Sequence, residues 1–203
     1  MTKLTLSAFA LLATSSLAHA SEAPMSFDVA EDLSRFVYSS EPLFDDGMPA
    51  FGNAFVTQGY IYEDGTLDDG AEGTLADGSP AFPEKVIGRW TCDGFFVGDG
   101  ARTATGAMVI TRQVFEFDSG DILINHGSEL ADVNVASPRV ITGGTGAYAD
   151  IGTEMHQTLL GMTDGYGVRL SIDIPGMTDA AYFDEQDEVE WDSGAPVGFN
   201  NID

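Results

Sequence analysis

Two glutamines, an arginine, a tyrosine and two glutamates stand on strand-like segments where they could do chemistry. Gln58, Tyr60 and Tyr62 share one face of an aromatic-rich segment, and Gln113 shares a face with Thr111 and Phe115. Glutamine among aromatics suits a cavity that orients a ligand through a few polar contacts. The same residues would also serve simply to satisfy buried backbone groups. Arg139 is a rare cation in an acidic chain and is the candidate anchor for a carboxylate ligand such as a fatty acid. Arg112 falls on the face opposite Gln113 and is the weaker candidate. Glu129 and Glu154 are acids in strand context. If either faces a cavity, burial raises its pKa and fits it for general acid–base work, with Glu154 the candidate catalytic residue. Against this, the chain holds 33 acidic residues, and a solvated position is the ordinary one for an acid.

Other reactive types point to structure. Cys92, the single cysteine, shares the apolar face of its strand with Trp90, while Arg89 and Asp93 lie on the other face. This arrangement describes a packed, inert thiol, and one cysteine permits no internal disulfide. His126 and His156 would need Glu154 to form a two-histidine, one-carboxylate metal site, and nothing in the spacing brings His126 near. The acidic stretch Glu63-Asp64-Gly65-Thr66-Leu67-Asp68-Asp69-Gly70 lacks the closing glutamate of a helix–loop–helix calcium site. The run Gly143-Gly144-Thr145-Gly146 is followed by a strand pattern and has no lysine, so it reads as a strand connector and not as a phosphate cradle. No metal or other cofactor is expected.

The elements that must position these residues are strands. Alternating or β-branched segments run over residues 54–62, 85–94, 108–117, 122–130, 135–142, 152–162 and 166–174, separated by Gly-, Pro- and Asp-rich turns. These make seven strands, or eight if the 33–38 region contributes one. The pattern predicts an all-β fold, an antiparallel barrel or sandwich. Val109, Phe115 and Phe117 point one way while Met108, Ile110 and Val114 point the other. Such two-sided apolarity implies that something covers the outer face, with subunit packing into a homotrimer or homodimer the natural candidate.

Before this region, residues 1–20 combine one lysine, an apolar run and Ala18-His19-Ala20, the pattern of a signal peptide cut near Ala20. The expected organisation is thus a leader at 1–20, an N-terminal extension at 21–53, the barrel at 54–175 and an acidic tail at 176–203. The expected location is secreted or periplasmic, with no membrane span. A net charge of −25, with Lys85 the only lysine after the leader, repels phosphate backbones and excludes nucleic acid as a partner.

The segments Phe55-Val56-Thr57-Gln58-Gly59-Tyr60-Ile61-Tyr62, Asp77-Gly78-Ser79-Pro80-Ala81-Phe82-Pro83, Val86-Ile87-Gly88-Arg89-Trp90-Thr91-Cys92, Thr111-Arg112-Gln113-Val114-Phe115-Glu116-Phe117 and Ile141-Thr142-Gly143-Gly144-Thr145-Gly146-Ala147-Tyr148 carry a family resemblance. Taken in order, they resemble the allene oxide cyclase/dirigent superfamily in its bacterial branch. The resemblance implies an eight-stranded antiparallel barrel with a lipocalin-like cavity, commonly trimeric through its sheet faces. It also implies a small hydrophobic or phenolic ligand, held in one shape while it cyclises or couples. One departure stands out. Family members usually follow the Gly-Gly-Thr-Gly turn with Ala-Arg-Gly and an acid. This chain keeps the acid as Glu154 but has Gly152 where the arginine would be.

Overall fold

The computed structural model describes residues 25–163 and 167–175. The leader at 1–20 and the acidic tail at 176–203 lie outside the described residues. Nine strands form one antiparallel sheet: β1 (Ser26–Glu31), β2 (Val37–Tyr38), β3 (Ala54–Glu63), β4 (Val86–Phe96), β5 (Ala107–Phe117), β6 (Ile122–Leu130), β7 (Ala136–Gly144), β8 (Glu154–Thr163) and β9 (Gly167–Asp173). From β3 to β9 each strand pairs with the next, and β1 pairs with both β9 and β3. Eight strands therefore close into a barrel, leaving the two-residue β2 as a short appendage on β3. Closure removes the exposed edges that an open sheet of this size would present.

The eighth barrel strand is β1, so the barrel begins well before the sequence boundary at residue 54. Its segment, Ser-Phe-Asp-Val-Ala-Glu, carries two acids in six residues and gives little strand signal. Five of those six residues are nonetheless buried, both acids included. They are buried because β1 has cover on both sides. Phe27, Val29 and Glu31 point into the barrel. Ala30 packs outside it with Tyr62 and Leu67 under the 64–85 loop.

That loop is a patch on the outer wall. The Leu67 backbone N–H donates to the Asp28 carboxylate at 2.8 Å, the Tyr62 hydroxyl donates to the Gly73 carbonyl, and Arg169 donates to the Ala71 carbonyl at 3.0 Å. Burial beneath it pushes the Asp28 carboxyl up to about 6, against the restraining effect of the Leu67 N–H.

Inside, the closed end of the barrel is aromatic. Phe27 meets Phe115 and Phe117 edge-on at 5.1 and 5.3 Å, and Phe117 stacks on Tyr148 at 5.0 Å. Tyr148 is delivered by the connector that follows β7. The Ile122 N–H donates to the Thr145 hydroxyl at 3.0 Å, and the Thr145 N–H donates to the Ile122 carbonyl at 2.8 Å, pinning the connector to the start of β6. Gly146 turns the chain at φ +56°, where a β-carbon would lie 1.7 Å from the Asp121 carboxylate. The glycine run is thus a strand connector whose task is to seat Tyr148 as a plug. Tyr148→Ala should cost about 3–5 kcal/mol of stability in urea unfolding, because it opens a cavity at the base of the barrel. A loss below about 1 kcal/mol would mean that Tyr148 is not a plug.

Candidate functional site

Above the aromatic floor the lumen is polar, an unusual choice for the middle of a barrel. Alternation along β5 sends Val109, Thr111, Gln113, Phe115 and Phe117 inward, and β6, β7 and β8 add Asn125, Glu129, Arg139, Met155 and Gln157. Arg139 is the hub. Its Nε donates to Asn125 Oδ1 at 2.6 Å and Nη1 to the Ser128 carbonyl at 3.1 Å. Nη2 donates to the Thr111 hydroxyl at 2.7 Å and to the Thr111 carbonyl at 3.3 Å. Nη1 also lies 3.8 Å from Glu129 Oε1.

Glu129 is the counter-charge. Its Oε1 accepts from the Thr111 hydroxyl at 2.6 Å and from Gln113 Nε2 at 3.2 Å, and its Oε2 accepts from Gln157 Nε2 at 3.1 Å. Gln113 also bonds Gln157 and Asn125, both at 2.9 Å, so the belt is continuous from β5 to β8. Burial pulls the Arg139 guanidinium down from its ordinary pKa, opposed by the Glu129 charge.

Glu129 is the belt residue that lines a cavity of about 140 Å³. Its apolar wall comes from Phe36, Phe55, Trp90, Phe96, Met108 and Met162, and its polar groups include Glu31, Thr57, Cys92 and Glu129. The Cys92 thiol sits 3.7 Å from Glu129 Oε1. Burial first, and the Glu129 charge second, push it well above its ordinary value, which keeps it an inert thiol. The Trp90 indole N–H is buried without a hydrogen-bond partner, a donor that a polar ligand atom would satisfy.

Glu31 is the second carboxyl of the cavity and differs from Glu129. It accepts from the Val168 N–H at 2.9 Å and has no cation within ion-pair distance among the described residues. The groups that face it are the Thr57 hydroxyl on β3, the Cys92 thiol on β4, the Glu129 carboxylate on β6 and the neighbouring Asp32. Burial pushes its pKa up to about 7, and Glu129 and Asp32 add to the rise. A carboxyl that titrates near neutrality is what general acid–base chemistry needs.

Solved structures share this architecture. The pterocarpan synthase dirigent protein PsPTS1 matches with a TM-score of 0.53 at 13% sequence identity, over 73% of this chain and 90% of that chain. The pterocarpan synthase dirigent protein GePTS1 matches with a TM-score of 0.54, also at 13% identity, over 73% of this chain and 85% of that chain. The fold is that of the dirigent proteins. At this identity the likeness speaks for the barrel alone. No family model matches the sequence, and no curated protein matches it.

Within the dirigent-type barrel the sequence candidates divide. Gln113 and Arg139 lie in the lumen and belong to one network. Gln58 lies on the outer face and donates to the Thr91 hydroxyl at 3.2 Å. Tyr60 is also outside, with its hydroxyl on the Gly78 carbonyl at 2.9 Å and its ring under Arg89 at 4.3 Å. Glu154 is outside too, in an exposed pair with His156 at 3.3 Å.

The reason lies in the 64–85 loop. It covers the outer face of β3 with apolar residues, so aromatic content could not mark which face is the lumen. His126 and His156 sit on β6 and β8 with β7 between them. Among the described residues no group of three or more His, Cys, Asp or Glu side chains could hold a metal ion. Glu31 received no functional role from the sequence. Its one signal was its place two residues beyond Val29 and four beyond Phe27, on the apolar face of a six-residue strand.

Two outcomes test the site. Arg139→Met leaves Glu129 buried without its counter-charge and should cost about 3–5 kcal/mol in urea unfolding, whereas adding Glu129→Gln to it should recover at least half of the loss. The second test concerns pH. Raised folded-state pKa values mean that protonated Asp28 and Glu31 favour the fold, a contribution complete below their unfolded values and lost as pH rises through about 6 and about 7. Thermal stability should therefore fall between pH 5 and pH 8. Glu31→Gln should flatten the upper part of that fall and raise Tm at pH 8 by roughly 5 °C.

Proposed function

We propose that the protein is an exported barrel that binds a small hydrophobic or phenolic molecule and holds it in one reactive shape, in the manner of a cyclase or a stereochemical guide. The observation that carries this reading is the cavity, where apolar and aromatic walls converge on two buried carboxyls of different character. Holding a flexible or unstable molecule in a single conformer needs no more than such walls and a few fixed polar contacts.

Glu31, titrating near neutrality beside the cavity, is the proposed proton donor and acceptor. Glu129, bound to Thr111, Gln113 and Gln157 and facing Arg139, is the fixed charge that orients the ligand. The acid–base role considered for Glu154 passes to Glu31, because Glu154 is on the solvent side. The exposed Val56, Phe95, Ile110 and Val140 on the outer face of β3 to β7 suit a homotrimer packed through its sheets.

A second reading, a secreted barrel that binds without transforming, is favoured by one observation. Arg139 and Cys92, the most reactive types in the lumen, are both held in structural roles. Both readings require an occupied cavity. Native mass spectrometry of the exported protein should give a trimer in which each chain releases one small organic molecule on activation. A protein that carries nothing, and that takes up none of a panel of small aromatic and lipid molecules, would contradict both.

A further inference from the structure

The charges of the lumen do not balance, and the imbalance faces the cavity. Two carboxyls line it, Glu31 and Glu129. The one cation of the belt, Arg139, faces Glu129 and spends its other N–H groups on Asn125, Ser128 and Thr111. It is not part of the cavity wall. Arg169, the other buried arginine, points outward beneath the loop to the Ala71 carbonyl. Glu31 is thus a carboxyl in a largely apolar, aromatic chamber, facing the Val168 N–H and the Thr57 hydroxyl and, among the described residues, no counter-charge. A buried carboxylate in that position gains most from a cation brought in by the ligand. The walls suit the same visitor, because Phe36, Phe55, Trp90 and Phe96 offer ring faces that attract a cationic head and bury an apolar body. The net charge of −25 adds a long-range pull on cations and a repulsion of anions.

We propose that the cavity selects a small organic cation, an amine on an apolar or aromatic body, whose ammonium group pairs with Glu31. The inference rests on the reading of the barrel as a ligand carrier and narrows its ligand class. It turns the sequence expectation of a fatty acid on Arg139 around: the guanidinium is committed to the belt, and the free charge of the cavity is negative.

Three probes with one aromatic body test it: phenethylamine, neutral 2-phenylethanol and anionic 3-phenylpropionate, each titrated into the full mature protein by calorimetry at pH 8. The expected order is amine at least tenfold tighter than alcohol, with no binding of the carboxylate. Glu31→Gln should erase the preference for the amine, so that amine and alcohol bind within about threefold of each other. The ranking in the unaltered protein stands whether or not the variant folds. Alcohol or carboxylate binding as tightly as amine would overturn the inference while leaving a ligand-binding barrel in place. Binding of none of the three would overturn the inference and count against the carrier reading too.

Discussion

The structure depends on a single buried ion pair and the way it is shared. Among the described residues Arg139 is the one cation of the belt inside the barrel, and its guanidinium ties β7 to β5 and β6 through Thr111, Asn125 and Ser128. Glu129 stands opposite it and ties β6 to β5 and β8 through Thr111, Gln113 and Gln157. A buried pair of this kind is weak as a source of net stability, since desolvation consumes much of its attraction. Its value is specificity. Its donors and acceptors are matched across four strands, so a register slip in any of them would leave a charge or an amide unpaired.

The belt also divides the lumen by function. Below it the space is filled by Phe27, Phe115, Phe117 and the Tyr148 plug, and the barrel is a packed core. Above it the side chains stop short and leave the cavity. Because Arg139 is held by the belt, the carboxyl brought in by β1 has no cationic partner among the described residues. One structural solution therefore fixes the register of the barrel strands and leaves the cavity above them with its chemical demand.

Much of this could be read from the chain. Seven strands and the role of the glycine turn follow from alternation and turn chemistry, and the β6 bounds agree to the residue. Alternation puts Gln113 on one face with Thr111 and Phe115, which is where the lumen lies. What the sequence hid has two physical causes. The 64–85 loop buries Tyr62 on the outside of β3 as deeply as Ile61 on the inside and covers part of Tyr60, so Tyr60 and Gln58 carry the composition of lumen residues without the position. And β1 buries Asp28 and Glu31, against the rule that acids belong in water, so its strand pattern was masked by the very residue that gives the cavity its character.

Among the described residues, Glu31 is a carboxyl held without a counter-charge in a largely apolar cavity. Carbon-13 NMR of the glutamate side-chain carboxyls, with Glu31 assigned by its Glu31→Gln variant, tests it directly. The expected Glu31 titration midpoint is near 7 in the unliganded protein. A midpoint near 4.5, the ordinary value for glutamate, would show that Glu31 is solvated or paired and that the cavity holds no unbalanced carboxyl.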